Sequence, residues 1–366
     1  MMAEKKNKAV IWGILLYFLG FSLWAWTGRA KEESVTERRK LQQLPEWSIE
    51  TVVSGEFMQD FEAYALDQFP ARDRLRQIKG YVSHYLYGQK DDHGIYIADG
   101  YAVKMEYPLN QEGVIRATER FQYVYDTYMA ETDVKLYFCL IPDKNYFLAE
   151  QTGHLFMDYP TLFTLLEEKI PKMKHIDIAD LLEIEDYYRT DIHWKQERLL
   201  DVAEKITTAM GRFKQADYEI KMLSQPFYGV YTGQTSLPLE ADALKYVTSP
   251  TLEQSTVYDF ENQRSMAIYD KDKAKGRDPY EMFLSGSLSL IQIKNPLASA
   301  KRELVIFRDS FGSSLAPLLV EGYSMVTLVD LRYIHPDLLG RYLTFDKQDV
   351  LFLYSTSVLN QGETIK

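Results

Sequence analysis

Apolar positions along the chain fall into three patterns. Residues 9–26 form a run of 18 residues without a charged side chain. At about 1.5 Å rise per residue such a helix is about 27 Å long, just enough for a hydrocarbon core of ~30 Å. Between 56 and 86, Phe57, Phe61, Tyr64, Ala65, Phe69, Leu75, Ile78, Val82 and Leu86 recur at helical spacing, interrupted at Pro70. This predicts two amphipathic helices with a break at 68–70. Short apolar runs at 134–141, 175–178, 303–307, 324–329 and 350–354 predict strands, and helical patterns occupy 199–210 and 315–320. Near-continuous apolar strands need cover on both faces, so the expected fold is α/β, a mostly parallel sheet flanked by helices. Residues 213–300 break this rhythm with scattered Gly and Pro. That stretch reads as an insertion of loops and short antiparallel strands.

Lys5, Lys6 and Lys8 precede the first apolar run, and Trp24 and Trp26 close it. A cleaved signal peptide and a buried helix are alternatives, but Thr27-Gly28-Arg29-Ala30 is a poor cleavage site. The favoured reading is an uncleaved signal anchor with the lysines inside and the remainder outside the cell. The expected layout is a cytoplasmic tail at 1–8, a single-pass transmembrane anchor at 9–27, a stalk and helical neck at 28–90, and one outward-facing domain at 91–366. No second run is long enough to span, which excludes a polytopic transporter or channel.

Composition narrows the function classes. The net charge of −11 and pI near 5.2 argue against nucleic acid as a partner. Cys139 is the sole cysteine, which excludes an internal disulfide or a multi-thiolate metal centre. The 27 tyrosines suit stacking on sugars, or packing with a satisfied hydroxyl.

Two segments could carry chemistry. Arg308-Asp309-Ser310-Phe311-Gly312 lies between a predicted strand and a predicted helix, where a serine hydroxyl is presented at the mouth of a sheet. Ser310 is therefore a candidate nucleophile, and helix capping by Asp309 and the serines is the plain alternative. In Tyr187-Tyr188-Arg189-Thr190-Asp191-Ile192-His193-Trp194, Asp191 stands two residues before His193. A base oriented by a carboxylate activates a serine, yet an isolated D-x-H also suits a surface histidine beside a cap. His84, His93, His154, His175 and His335 have no metal-ligand spacing, so no metal is expected.

These motifs do not stand alone. Glu37-Arg38-Arg39-Lys40-Leu41 with Leu44-Pro45-Glu46-Trp47, Ser54-Gly55-Glu56-Phe57 with Asp67-Gln68-Phe69-Pro70-Ala71-Arg72, and Pro142-Asp143-Lys144 occur in order before the two segments above. The chain thereby resembles the DHHW proteins of Gram-positive bacteria, which are similar to the alginate acetylation proteins AlgX and AlgJ in the SGNH hydrolase-like superfamily. Thr190-Asp191-Ile192-His193-Trp194 stands where the family has its D-H-H-W, with Ile192 in place of the first His. The resemblance implies Ser310 as acyl-accepting nucleophile, His193 as general base and Asp191 as its orienting carboxylate. Backbone N–H groups of Ser310 and Gly312 are the expected oxyanion donors; Lys144 and Arg189 are candidates for binding a carboxylate or sugar hydroxyl, or for structural ion pairs, and Tyr188 is a candidate substrate contact or a packing residue. No cofactor is implied. The implied activity is O-acetyl transfer to a cell-surface or exported polysaccharide, with a polytopic membrane acyltransferase as acetyl donor. The alternatives are a carbohydrate acetylesterase with the same triad and a non-catalytic polysaccharide-binding or assembly protein. Residues 28–366 hold 39 basic and 52 acidic side chains, which favours a neutral or amino-sugar acceptor over an acidic one.

Overall fold

The computed structural model describes residues 2–34, 37–235 and 239–366, without the side chains of 2–6, 9 and 26. The charges of Lys5 and Lys6 and the ring of Trp26 therefore lie outside the described residues. The chain divides into two compact units, one of residues 1–92 with 232–238 and one of 93–231 with 239–366.

The first unit opens with helix α1 (Met2–Thr27), whose large side chains from Val10 to Trp24 are mostly exposed. Among the described residues no helix is long and apolar enough to cross a membrane, and the two ends of the apolar run, Ala9 and Trp26, are outside the described side chains. A two-stranded ladder, β1 (Glu33–Ser34) with β2 (Arg39–Lys40), precedes α2 (Ile49–Ser54), α3 (Glu56–Asp67) and α4 (Arg72–Tyr81). Ser48 caps α2 in a capping box with Thr51, and Gly55 ends it at φ 84°, a conformation that costs glycine nothing. The break at 68–70 separates α3 from α4 as the proline requires. Ion pairs hold this unit together. The Glu37 carboxylate accepts from Arg39, Arg72 and Arg76, while Asp67 accepts from Arg39 at 2.8 Å and from the Gln42 N–H at 2.8 Å. The charged positions of the stalk and of the D-x-F-P-x-R segment are thus partners of one another.

The second unit begins with a hairpin, β3 (Ile95–Ala98) and β4 (Tyr101–Lys104), and helix α5 (Gln111–Tyr128). Strand β5 (Lys135–Ile141), helices α6 (Lys144–Thr152) and α7 (Tyr159–Lys169), strand β6 (Lys174–His175) and helix α8 (Leu200–Ala209) follow. An antiparallel pair, β7 (Glu219–Phe227) and β8 (Asp242–Thr248), flanks the short helix α9 (Val230–Thr235). After α10 (Pro250–Gln254) come β9 (Thr256–Asp259), β10 (Arg264–Met266), β11 (Leu290–Lys294) and β12 (Glu303–Arg308). The chain ends with α11 (Gly312–Leu319), β13 (Met325–Val329), β14 (Asp349–Ser355) and α12 (Thr356–Asn360).

Eight strands form the main sheet in the order β10-β9-β11-β13-β12-β14-β5-β6. The five from β13 to β6 are parallel, and β11, β9 and β10 extend the sheet antiparallel. The fold is therefore mixed α/β, with a large central sheet between helices. Within 213–300 the short antiparallel strands expected there include β9, β10 and β11, and these join the main sheet, where the apolar Leu290, Ile291 and Ile293 are buried beside β13. Alternate residues of each central strand enter opposite cores. Cys139, Ile306, Leu351 and Leu328 pack under α8 and α11, while Phe138, Phe307, Phe352 and Val329 pack under α5 and α7. In register, Phe307 lies beside Phe352 and Phe352 beside Phe138, so β12, β14 and β5 end together. Pro142-Asp143, Asp309-Ser310 and Thr356 consequently emerge at one edge, the carboxyl edge where open α/β sheets bind ligands.

Leu351 is fully buried in the middle of β14. Leu351→Ala is expected to lower unfolding free energy by about 2–5 kcal/mol, measured by urea denaturation.

Candidate active site

The carboxyl edge is shaped by two turns. The first follows β12. The Asp309 carboxylate accepts from the Phe311 N–H at 3.0 Å with Oδ1, and from the N–H and hydroxyl of Ser355, both at 2.7 Å, with Oδ2. Asp309 therefore ties the end of β12 to the end of β14 as well as closing its own turn. Gly312 is required here by space, since a Cβ would lie 2.8 Å from that of Arg308. The Arg308 side chain is fully buried, donates to the Asp309 carbonyl at 3.3 Å and lies 3.8 Å from Asp330. Ser310 sits at the apex of the turn, half-buried.

The second turn is an excursion pinched at its base. Tyr187 and Trp194 form an antiparallel bridge, the Tyr188 N–H donates to the His193 carbonyl at 3.0 Å, and the Lys195 N–H to that of Asp186 at 2.7 Å. The buried Asp242 carboxylate accepts from the N–H of Arg189 (2.9 Å), the N–H of Thr190 (2.8 Å) and the Thr190 hydroxyl (2.6 Å). Gly229 donates to Thr190 Oγ1 at 2.8 Å, and a Cβ there would meet the Thr190 carbonyl at 2.3 Å, so only glycine fits. Ile192 packs against two of the apolar clusters, so its aliphatic side chain has a place in the core.

The two turns meet. The Asp191 carboxylate is fully buried, and its Oδ1 lies 2.6 Å from His193 Nδ1 and accepts the His193 N–H at 3.1 Å. Its Oδ2 accepts the Val230 N–H at 2.9 Å. A proton on Nδ1 shared with this carboxylate leaves Nε2 as the acceptor, and Nε2 lies 2.8 Å from Ser310 Oγ. Tyr280 stacks on the imidazole, with ring centroids 3.8 Å apart and planes 7° from parallel, and its hydroxyl donates to Ser314 Oγ at 2.8 Å. Burial pushes the Tyr280 phenol well up, so it stays neutral. Trp194 Nε1 donates to Ser314 Oγ at 2.9 Å, and Gln196 Nε2 to the Ser314 carbonyl at 2.7 Å, which fastens the histidine turn to α11.

His193 is thus within hydrogen-bond distance of both Ser310 and Asp191, and the other expected side chains do not join this line. Lys144 is buried and its ammonium donates to the carbonyls of Tyr188 (3.0 Å) and Arg189 (3.4 Å), so it braces the histidine turn. Tyr188 is fully enclosed, its ring edge-on to Phe227. Arg189 is exposed, pairs with Glu240 at 3.0 Å, and lines a groove of about 520 Å³ with Tyr101, Lys195 and Lys245. The Gly312 N–H donates to the Asp309 carbonyl at 3.1 Å, which removes it from the expected oxyanion pair. The Ser310 N–H takes no acceptor among the described residues. Asp242 and Tyr280 were not legible in advance. Both fall in the irregular stretch 213–300, and Tyr280 is one of 27 tyrosines.

No protein-family model and no curated protein matches the chain. Solved structures do. A DHHW family protein from Eubacterium siraeum aligns with a TM-score of 0.59 at 19% identity, over 74% of this chain and 92% of that one. Bacillus cereus PatB1 aligns with a TM-score of 0.59 at 19% identity, over 74% of this chain and 97% of its own. The O-acetyltransferase domain of Pseudomonas putida AlgJ aligns with a TM-score of 0.44 at 11% identity, over 73% of this chain and 92% of that one. The fold is that of the DHHW family protein and PatB1.

Burial pushes the Lys144 ammonium down to about 7 from the ordinary 10.5. An unfolded chain keeps this proton up to about pH 10.5, whereas the folded protein releases it near 7. Between these values the unfolded state binds more protons, so Lys144 makes stability rise with pH from about 7 to about 10.5, and below 7, where both states hold the proton, it adds no slope. Lys144→Met is expected to flatten that slope, read as the pH dependence of the urea midpoint in the variant against the parent.

Proposed function

We propose that the protein is a membrane-anchored enzyme that transfers an acetyl group to a hydroxyl of a cell-surface or exported polysaccharide. The observation that carries this reading is the continuous line from Asp191 through His193 to Ser310, at 2.6 and 2.8 Å. A buried carboxylate, an imidazole in the matching tautomer and a half-exposed serine hydroxyl are the parts acyl transfer requires.

Ser310 Oγ attacks the acetyl carbonyl carbon as its proton passes to His193 Nε2. Asp191 stabilises the imidazolium, and the Ser310 N–H faces the tetrahedral oxyanion. The imidazolium returns the proton to the leaving group, which departs and leaves acetyl-Ser310. A sugar hydroxyl then gives its proton to His193 and attacks the ester carbonyl, the bond to Ser310 Oγ breaks as the imidazolium returns that proton to it, and the acetylated sugar leaves. Tyr280, flat against the imidazole, limits its rotation between the two halves of the cycle, and its neutral ring tolerates the passing positive charge.

Acetyl-coenzyme A is made inside the cell. An outward-facing catalyst therefore takes its acetyl group from a polytopic membrane acyltransferase acting as a relay. The apolar run at 9–26, behind Lys5, Lys6 and Lys8, supports anchoring in the same membrane. The acidic balance of residues 28–366 supports a neutral or amino-sugar acceptor.

Ser310→Ala is expected to reduce acetyl release from an activated acetyl ester by roughly 10⁴-fold or more, with His193→Ala comparable. Unchanged turnover in the Ser310 variant would sink the reading. With polysaccharide present, acetylated polymer is the expected product, and free acetate alone would reassign the site to an esterase.

A further inference from the structure

Helix α4 and the π-helical turn that prolongs it (Val82–Leu86) bury only Gly80. Their large apolar side chains face solvent. Leu75, Ile78, Tyr81 and Tyr85 recur at intervals of three or four residues and are 44–61% exposed, and Leu86 and Tyr87 beyond them are more exposed still. Four basic residues, Arg72, Arg74, Arg76 and Lys79, stand against one acid, Asp73. Arg72 and Arg76 are held by Glu37, while Arg74 and Lys79 are exposed. An apolar stripe with Arg74 at its N-terminal end, Lys79 at its flank and tyrosines along it is the composition of a helix lying in a membrane interface.

Contacts within the first unit put this helix at the outer end of α1. Phe69, in the turn that leads into α4, stacks on Phe21 with ring centroids 5.7 Å apart and planes 24° from parallel. Phe21 precedes Trp26 by five residues, about 7.5 Å along a helix axis. A cavity of about 780 Å³ lies in this corner, lined by Trp24, Arg29, Lys31, Phe69, Arg72 and Arg74 among others. Aromatic and basic side chains line it together with the carboxylates Glu33, Asp67 and Asp73, a mixture of rings and charges that suits the headgroup layer of a bilayer. A chain whose α1 occupies the membrane up to Trp26 therefore starts α4 at the depth where acyl chains meet headgroups.

We infer that α4 and its π extension lie along the outer membrane interface, with the stripe from Leu75 to Tyr85 toward the acyl chains and Arg74 and Lys79 on anionic headgroups. The inference rests on the reading of α1 as a membrane anchor. The neck then has two attachments to the bilayer, which holds its base flat where a single helix would let it tilt.

The test uses the full chain in vesicles of phosphatidylcholine and phosphatidylglycerol. Nitroxide labels are placed in separate Ile78→Cys and Tyr85→Cys variants, with Glu131→Cys, an exposed position of the second unit, as aqueous control. Cys139 is fully buried and needs no replacement. The expected result is co-flotation with vesicles and, at positions 78 and 85, a ratio of oxygen to nickel-chelate accessibility several-fold above the control. Co-flotation with control-like ratios would overturn the interfacial helix and leave the anchor standing. Failure to float would overturn both. Exclusion of both reagents at the two positions would mean that protein covers the stripe, and would overturn the bilayer as its occupant.

Discussion

Several aspartates around the serine and histidine turns are buried, and a buried carboxylate must find donors or lose its charge. Asp143, Asp191, Asp242 and Asp309 find them chiefly in backbone N–H groups of neighbouring turns. Each therefore fixes a loop as the condition of its own burial. Asp309 joins the nucleophile turn to β14, Asp242 grips the excursion before Asp191, and Asp143 collects α6, Tyr159 and Thr356. The meeting of Ser310 with His193 is a consequence of these attachments.

Packing supplies what hydrogen bonds do not. The imidazole of His193 is held between Tyr280 on one face and Phe311 at 5.0 Å. Trp194, fully buried, wedges against Phe311 edge-on while its indole N–H reaches α11. This accounts for part of the tyrosine surplus, since Tyr187, Tyr188, Tyr280 and Tyr354 are interior residues. Lys144 belongs to the same scheme. Its ammonium is drawn under the histidine turn by two carbonyls, and its position there is favoured by Asp191 and Asp242.

Much of the fold was legible because the central strands are apolar on both faces. VKLYFCLI, ELVIF and VLFLY have no polar side that could face water, so they had to lie inside a covered sheet. The positions of β9 and β10 within 213–300, and the helices α5 to α7, were not. Their residues mix charge and tyrosine too evenly for either period to stand out, and they take their conformation from the sheet they join. Within the site, the Ser310 turn and the Asp191-Ile192-His193 segment were visible as local arrangements, whereas no local pattern told whether Lys144 and Arg189 bind a ligand or pair within the protein, or whether Tyr188 packs.

Local order was thus the sequence's own to determine: the apolar run at the start, the helical neck with its proline break, the buried strands, and the two turns bearing a serine and a histidine beside carboxylates. These depend on neighbours within a few residues. Which turns meet, which polar side chains point inward, and which N–H groups remain open to a ligand were decided by tertiary structure. The register of β5, β14 and β12 sets those answers by bringing residues more than a hundred positions apart to one edge. No local pattern encodes a distance between strands that pair only when the whole core closes.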